Sequence, residues 1–301
     1  MINAGSISKL LRPGVNAMFG LAYNMYPEQY SQIFTTETSE MGYEEDVNMY
    51  GFGMGATRSE GGSVSYDVMG QGYVSRYTHV EFALGFVISR IAIADNLYMK
   101  AAKAQSQALA IAMKTTKETI AANVLNRAFN NSYLGGDGVC LGSASHLLSK
   151  GGTFANIPSV AVDLSEASIE QGLIAIDSFT DDAGLQMAWK GDKLIVPPSM
   201  RFEAARILNS SLQNDTANNA VNAMMNLNML PGGFVVNNYL TDTDAWFIKT
   251  SCPQGLKHFM RQALELTNET EFDSDNVKFK ATERYSFGWS DPRCIYASAG
   301  A

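Results

Sequence analysis

The clearest alternation of apolar and polar positions lies in residues 78–88. Every second side chain on one face of this stretch is apolar, namely Val80, Phe82, Leu84, Phe86 and Ile88. A period of two is typical of a half-buried β-strand. The stretch follows an outbound segment, 43–54, and a glycine-rich tip, 55–62. The pattern therefore predicts one long β-hairpin over residues 43–88.

The predicted hairpin is too thin to bury a core of its own. At about 3.4 Å per residue, its outbound arm would reach about 40 Å. Several of its positions supply no side chain, namely Gly51, Gly53, Gly55, Gly61, Gly62, Gly70 and Gly72. An isolated two-stranded ribbon is marginal in water, and its unpaired edges invite another chain. We therefore expect the ribbon to be ordered by lying on other protein, most simply on a neighbouring copy.

A long helix is predicted after the hairpin. Residues 99–130 contain neither proline nor glycine, and small residues recur in them every three or four positions. Such a stripe permits close packing, and the helix would be about 48 Å long. Ser89 has the side chain of an N-cap for a shorter helix over 90–98, and Gly135 with Gly136 ends the helical region.

Residues 137–252 mix helical and strand periodicities. In chain order they predict a helix after 163–165, a strand at 193–196, a helix at 200–209 and a hairpin of 234–239 with 245–249. This mixture indicates a compact α/β block.

The two ends of the chain differ in character. Near the C-terminus, apolar and polar side chains alternate over residues 277–289, which predicts a strand more than about 40 Å long. Residues 256–266 are its predicted partner. Residues 1–42, which proline and glycine interrupt, indicate an extended arm lying on other protein. A short helix near 28–34 is the alternative.

Composition excludes several classes of function. The 301 residues carry a formal net charge of −8, which argues against a protein that grips nucleic acid phosphates. Charged residues make up 17%, against about 25% in an ordinary soluble chain. The uncharged surface that results suits burial against other protein. No apolar run has the length of a signal peptide or a membrane span, so a soluble cytosolic protein is expected.

No residue pattern indicates catalysis, a metal site or a cofactor. The three cysteines lie far apart, and the three histidines, His79, His146 and His258, share no helical spacing. The glycines at 51–55 have no helix after them, unlike a nucleotide-binding loop. Cys140 lacks a recognisable histidine and acid partner. We therefore predict no enzyme activity and no cofactor.

Charge is distributed unevenly between the hairpin and the helix. Residues 10–99 contain no lysine and ten acidic residues, whereas the helix that follows is rich in lysine. Either these are two separately solvated faces, or the acidic hairpin of one copy rests on the basic helix of another. The second hypothesis makes the hairpin charges intersubunit contacts, namely Glu44, Glu45, Asp46, Arg58, Glu60, Asp67 and Arg76. On the helix, the corresponding candidates are Lys100, Lys103, Lys114 and Lys117.

In the order of these elements and in several short sequence segments, the chain resembles the tailed-bacteriophage major capsid proteins of the Hong Kong 97-like coat fold. The matching segments are Tyr43-Glu44-Glu45-Asp46-Val47, Ala94-Asp95-Asn96-Leu97-Tyr98, Leu194-Ile195-Val196-Pro197-Pro198, Tyr239-Leu240-Thr241-Asp242 and Gly288-Trp289-Ser290-Asp291-Pro292. The resemblance implies an α+β fold with an N-terminal arm at 1–38 and an extended β-hairpin loop at 39–88. It implies a peripheral domain with its spine helix at 89–134 and its long β-strands at 256–301, and an axial α/β domain at 135–255.

The resemblance also implies a function and partners. Copies would form hexamers and pentamers of an icosahedral shell around double-stranded DNA, in a virion assembled in the bacterial cytoplasm. A separate scaffolding protein, a portal and decoration proteins are the further partners, with only loose internal contact to DNA and no membrane. Some relatives join subunits by an isopeptide bond from a lysine on the extended loop. This loop has no lysine, so we expect non-covalent contacts alone.

Two other functions remain open at this point. One is an encapsulin-like compartment of the same fold that holds cargo enzymes. The other is an α/β enzyme with a β-appendage, which a compact monomer with a ligand-filled pocket would favour.

Overall fold

The computed structural model describes residues 16–94, 98–212 and 221–301. Its helices are α1 (residues 16–24), α2 (Arg90–Ala94), α3 (Tyr98–Asn126), α4 (Glu166–Asp177), α5 (Arg201–Asn209) and α6 (Ala223–Asn226). Its strands are β1 (Thr35–Thr38), β2 (Tyr43–Tyr50), β3 (Gly70–Thr78), β4 (Val80–Ile88), β5 (His146–Leu147), β6 (Thr153–Phe154), β7 (Gly191–Val196), β8 (Phe234–Val236), β9 (Trp246–Thr250), β10 (Leu256–Thr270), β11 (Val277–Trp289) and β12 (Ile295–Ser298). Single-turn 3₁₀ helices lie at Tyr30–Gln32, Pro198–Met200 and Pro292–Cys294.

Four strands form a long sheet in the order β1-β10-β11-β4. The predicted strand at 277–289 is confirmed as β11, and β10 is its antiparallel partner. β10 runs to Thr270, four residues beyond its predicted end, and its register shifts between Met260 and Glu265. Strand β1 pairs with β10 in parallel at the opposite edge from β4.

The predicted hairpin over 43–88 is wrong at its return end. Strands β2 and β3 form the hairpin, but β4 pairs with β11, with Val80 opposite Tyr285 and Ile88 opposite Val277. The alternating apolar side chains of β4 explain this placement, because Phe82 stacks on Tyr285 and Phe86 on Phe279. Residues 80–88 are thus part of the long sheet, and the ribbon ends at Thr78.

Helix α3 packs along the long sheet, and its length confirms the long helix predicted after the hairpin. It has 29 residues and so spans about 43 Å. Its small residues lie inside, since Ala110, Ala121 and Ala122 are almost completely buried. Leu109 and Met113 pack with Ala281 of β11 in the same apolar cluster.

A second sheet, which we call the short sheet, has the order β12-β9-β7-β8. Its central strand β7 buries Leu194, Ile195 and Val196 completely, as expected of a strand with neighbours on both edges. The predicted hairpin of 234–239 with 245–249 is therefore wrong, because β7 lies between β8 and β9. Helix α4 is confirmed, and Ser165 begins it with a capping box.

The C-terminal strand β12 corrects the prediction that residues 256–301 form only the long strands of the peripheral domain. Strand β12 pairs with β9, so it belongs to the short sheet. Its four residues are all buried, and Tyr296 packs near the ring of Trp246. The turn at Asp291–Pro292 separates β12 from β11 and lets the chain change sheets.

The described part of the N-terminal region lies on its own subunit. Phe19 and Ala22 of α1 pack against α3, and Tyr30, Ile33 and Phe34 enter the main core. The expectation of an extended arm on other protein is therefore wrong for residues 16–38, and the short helix near 28–34 is present as the turn at Tyr30–Gln32. Residues 1–15 of the predicted arm lie outside the described residues.

His258 joins this N-terminal region to the long sheet. Its ring stacks on Phe287 at 4.4 Å and meets the edge of Tyr30 at 5.2 Å between centroids, and its Nδ1 lies 3.1 Å from Thr36 Oγ1. Burial, helped by the Lys117 cation, lowers the pKa of His258 to about 3. The imidazole is therefore neutral in the folded subunit.

His258 should make the subunit less stable in mild acid. The unfolded chain binds a proton at this residue near pH 6.5, whereas the folded chain does so only near pH 3. Stability is therefore lost as the pH falls from about 6.5 to 3, with a slope of up to about 1.4 kcal/mol per pH unit from this group. Urea unfolding across that range, compared between wild type and His258→Gln, isolates the contribution. Parallel pH profiles for the two proteins would contradict it.

Candidate assembly surfaces

The ribbon of β2 and β3, with its connecting segment 51–69, exposes an unusual amount of apolar surface. Apart from a turn at 60–61, the connecting segment has no regular structure. Ten large apolar side chains between residues 43 and 74 are exposed, namely Tyr43, Val47, Met49, Phe52, Met54, Val64, Tyr66, Val68, Met69 and Val74. A surface of this kind marks an interaction site in a soluble protein.

The base of the ribbon is fixed to the long sheet of the same subunit. Asp46 accepts hydrogen bonds from Lys257 Nζ at 2.6 Å and from Ser290 Oγ. Tyr77, which is buried in β3, shares a 2.6 Å hydrogen bond with the same Ser290 hydroxyl. Asp46, a predicted intersubunit residue, therefore has an internal role.

Further out, the ribbon contacts the block that carries the short sheet. Asn48 donates from Nδ2 to Asp182 Oδ2 at 3.0 Å, and Asp182 is itself buried against Ser149 and Arg293. Arg293 is 2% exposed and also pairs with Asp291. These polar contacts support the inner half of the ribbon without another copy.

Asp67 is the outermost of these internal contacts. It accepts from the Gly53 amide at 2.6 Å and pairs with Lys150 Nζ at 2.9 Å. The Gly53 amide, Lys150 and the Val68 amide together lower the pKa of Asp67 to about 2. The carboxylate is exposed, so it orders the two arms of the connecting segment locally rather than anchoring the whole ribbon.

The remaining predicted ribbon residues lie at the surface. Glu45 is 3.8 Å from Arg76, whose guanidinium lies 4.0 Å above the Tyr43 ring. Arg58 donates to the Gly62 carbonyl, and Glu60 is exposed. Glu44 is the exception, since it is partly buried and accepts from Ser39 Oγ at 2.6 Å.

The basic face predicted for the spine helix is largely internal. Lys114 donates to the backbone carbonyls of Tyr23 and Tyr26, and Lys117 pairs with Glu283 at 3.4 Å with both side chains buried. This corrects the expectation that these two lysines face another copy, because a buried ammonium must have a partner nearby.

Of the other two lysines predicted to face a neighbouring copy, Lys100 and Lys103, the structure describes the side chain of Lys103 only. Lys103 is exposed. The side chain of Lys100 lies outside the described residues. Among the side chains that the structure describes, the acidic ribbon and a basic helix face do not meet within one subunit, and contact between copies stays a prediction.

Sequence reasoning missed the polar residues that hold the ribbon from the short-sheet side. No local sequence pattern marks Lys150, Asp182 or Arg293, because their partners lie far away along the chain. Arg293 and Asp182, for example, are 111 positions apart. The described ranges contain no group of three acidic, histidine or cysteine side chains arranged for a metal ion. Nor does any described helix have the length and hydropathy to cross a membrane.

Comparison with known proteins assigns this architecture to a class. A family model described as phage capsid protein matches residues 72–298, about three quarters of the chain. The chain therefore belongs to the phage capsid protein family. A search of the curated proteins finds no significant match.

Solved structures share the fold at low sequence identity. The capsid structure of the cyanophage P-SCSP1u is 11% identical with a TM-score of 0.57, and the match covers 91% of this chain and 88% of that one. The procapsid of bacteriophage JBD30 is 15% identical with a TM-score of 0.53, and the match covers 97% of this chain and 75% of that one. A virus-like particle from Pyrococcus furiosus is 12% identical with a TM-score of 0.52, and the match covers 94% of this chain and 97% of that one.

These comparisons confirm the predicted Hong Kong 97-like α+β coat fold. Together with the family match, they identify the chain as a structural major capsid protein of the tailed-phage type. The encapsulin-like alternative is not favoured, although one similar structure is an archaeal particle.

The buried Lys117–Glu283 pair predicts a large effect on stability. Lys117→Met should lower the free energy of unfolding by about 3–5 kcal/mol at neutral pH, because it leaves the Glu283 carboxylate buried without its counter-charge. Lys103→Met removes the same charge from an exposed position of the same helix, so its effect should stay within about 0.5 kcal/mol. Denaturant unfolding measures both variants, and equal effects would show that burial is not the cause.

Asp46 predicts a separate effect at the base of the ribbon. Asp46→Asn should cost about 1–3 kcal/mol, because Lys257 loses its 2.6 Å counter-charge and keeps only Glu37 at 3.6 Å. Hydrogen exchange should accelerate over β2 and β3 in the same variant. Glu45→Gln, at the neighbouring exposed position, is the matched control and should leave exchange unchanged. Identical exchange in the two variants would refute the anchoring role.

Proposed function

We propose that copies of this chain assemble into hexamers and pentamers of an icosahedral shell that encloses double-stranded DNA. The exposed apolar surface of the ribbon carries the proposal. Its ten exposed apolar side chains form a larger apolar surface than a monomeric protein usually leaves in contact with water. Membership of the phage capsid family supports a second copy as the protein that covers this surface.

In this proposal the ribbon of one subunit lies across its neighbour in the shell. Its inner half is held by its own subunit through Asp46 and Asn48, so it presents the outer segment in a defined direction. The exposed charges of the ribbon, among them Glu45, Arg58, Glu60 and Arg76, set the register of that contact. Exposed ion pairs add little affinity but favour one orientation over others. The block of residues 135–255 would meet its copies at the capsomer centre.

The contacts between subunits are non-covalent. The extended loop contains no lysine, so it cannot supply an isopeptide bond of the kind that some related shells use. Many weak contacts suffice in a closed shell, because each further contact forms at high effective concentration once the first has formed.

The role is structural rather than catalytic, and its location is the virion assembled in the bacterial cytoplasm. Packaged DNA makes loose contact with a subunit whose net charge is −8, since like charge prevents tight binding. A separate scaffolding protein, a portal and decoration proteins complete the set of partners.

Shortening the ribbon tests the proposal. Gly53 and Asp67 are already hydrogen-bonded at 2.6 Å, so residues 54–66 can be deleted with a short closure between them. The deletion removes exposed side chains only and should leave the melting temperature of the subunit within a few degrees, while shells disappear. Sedimentation and negative-stain microscopy compare wild type and variant. Normal shells from the shortened chain would contradict the role of the ribbon, and a wild-type chain that never assembles would overturn the proposal.

A further inference from the structure

The turn between β10 and β11 carries an apolar side chain that its own subunit does not use. Phe272 is 96% exposed, the highest value among the exposed apolar residues of the described chain. Acidic residues surround it, namely Glu269, Glu271, Asp273 and Asp275. We call residues 269–275 the acidic tip.

The acidic tip is held in one conformation by its own hydrogen bonds. The amide of Asp275 donates to the Glu271 carbonyl at 2.9 Å, and Glu271 Oε1 pairs with Lys278 Nζ at 2.7 Å. Arg90 at the start of α2 pairs with Asp275 at 2.8 Å. Asp273 is exposed, and no hydrogen bond or ion pair involves it in the described part of the chain. Phe272 and the Asp273 charge are thus presented to solvent on a preorganised turn.

A groove of complementary chemistry lies at the opposite end of the long sheet. It has a volume of about 540 Å³ and lies between β3, the C-terminal half of α3 and the end of β11. Arg76, Arg127, Tyr133, Leu134 and Trp289 are among its lining residues, and none of its lining residues is acidic. We call it the arginine groove.

The walls of the arginine groove are suited to an aromatic side chain beside a carboxylate. Tyr133 and Leu134 are 47% and 58% exposed at its rim. The Arg127 guanidinium lies 4.2 Å above the Tyr133 ring, and no carboxylate within the described ranges pairs with it. Gly135 forms part of the floor, where an added Cβ would lie 1.9 Å from the Trp289 ring. The groove therefore depends on a close approach that only glycine permits.

The tip and the groove of one subunit cannot meet. The acidic tip precedes Val277, the first residue of β11, and the groove includes Trp289, its last residue. A strand of thirteen residues separates them by about 40 Å. Any contact between these two features joins two different copies.

We propose that the acidic tip of one subunit inserts Phe272 into the arginine groove of a neighbouring subunit, with Asp273 facing Arg127. This inference rests on the proposed function, because it names one contact of the shell. The contact is heterologous, since it joins different surfaces on the two copies, and repeated contacts of that type generate rings or extended arrays.

The outer segment of the ribbon is the competing occupant of the groove, and its charge fits less well. Within that segment Asp67 is paired with Lys150, and Arg58 would repel the arginines of the groove. Glu60 is exposed, but it lies six positions from Tyr66, the nearest exposed aromatic residue in the sequence. The acidic tip offers an unpaired carboxylate next to the most exposed aromatic ring. Charge complementarity therefore favours the tip.

A charge exchange tests the contact. Arg127→Glu or Asp273→Arg alone should raise the protein concentration needed for assembly about tenfold, and the double variant should restore it. Phe272→Ala should have an effect similar to that of the single changes, whereas Phe272→Leu should retain most of the assembly. Arg261→Glu reverses an exposed charge of β10 outside the groove and should assemble like wild type. Light scattering over a concentration series measures assembly, and the melting temperature of each variant shows whether the subunit still folds.

Cross-linking keeps the proposal testable if the charge variants fail to fold. Leu134→Cys combined with Asp273→Cys should form disulfides between subunits in assembled particles, while Val160→Cys with Asp273→Cys should not. Assembly of Phe272→Ala at the wild-type concentration, or no cross-link through Leu134→Cys, would overturn the contact and leave the proposed function standing. Failure of the wild-type chain to assemble would overturn both.

Discussion

Strand β11 is the constraint on which the rest of the subunit depends. It pairs with β10 along one edge and with β4 along the other, and α3 covers its apolar face. Phe279, Ala281 and Tyr285 on that strand are at most 1% exposed. A slip of one residue in either pairing would turn these side chains to the opposite face. The register is therefore fixed along thirteen residues, and the ends of the long sheet keep a defined separation.

Three charged side chains of α3 are buried, and each has a partner that offsets the cost of removing it from water. Lys114, Lys117 and Glu118 lie in the part of α3 that the N-terminal region and the long sheet cover. Each finds a partner there: Lys114 binds two backbone carbonyls, Lys117 binds Glu283, and Glu118 accepts the amides of Gln29 and Tyr30. Because backbone groups supply most of these bonds, the helix holds residues 23–30 without requiring particular side chains from them. The cost of burying the charges is offset only when all these partners are present together.

Local patterns predicted the elements better than their partners. The alternation in residues 78–88 correctly indicated a strand, but the same alternation fits pairing with β3 or with β11, and the true neighbour of Val80 is Tyr285, far along the chain. The start of α4 after residues 163–165 was predicted correctly because the groups that fix it are local: Ser168, which bonds the cap Ser165, lies three positions away. Lys117 was misread as a surface charge because Glu283 lies 166 positions away. Phe272 was overlooked, since the acidic residues around it are equally typical of an ordinary turn. Its significance depends on its exposure, which only the fold reveals.

The ribbon and the acidic tip both expose apolar side chains, and each has a different feature that limits non-specific association before assembly. The ribbon exposes much apolar surface, but the polar contacts of Asp46 and Asn48 hold its inner half against its own subunit and limit its freedom to aggregate. The tip exposes a single aromatic ring between carboxylates, which repel other tips. In a closed shell several contacts form at once and reinforce one another. The long sheet fixes the distance between the acidic tip and the arginine groove of each subunit. A subunit can therefore use its tip and its groove at the same time only when its neighbours are placed at the matching spacing, so a rigid sheet restricts which arrangements of subunits can assemble.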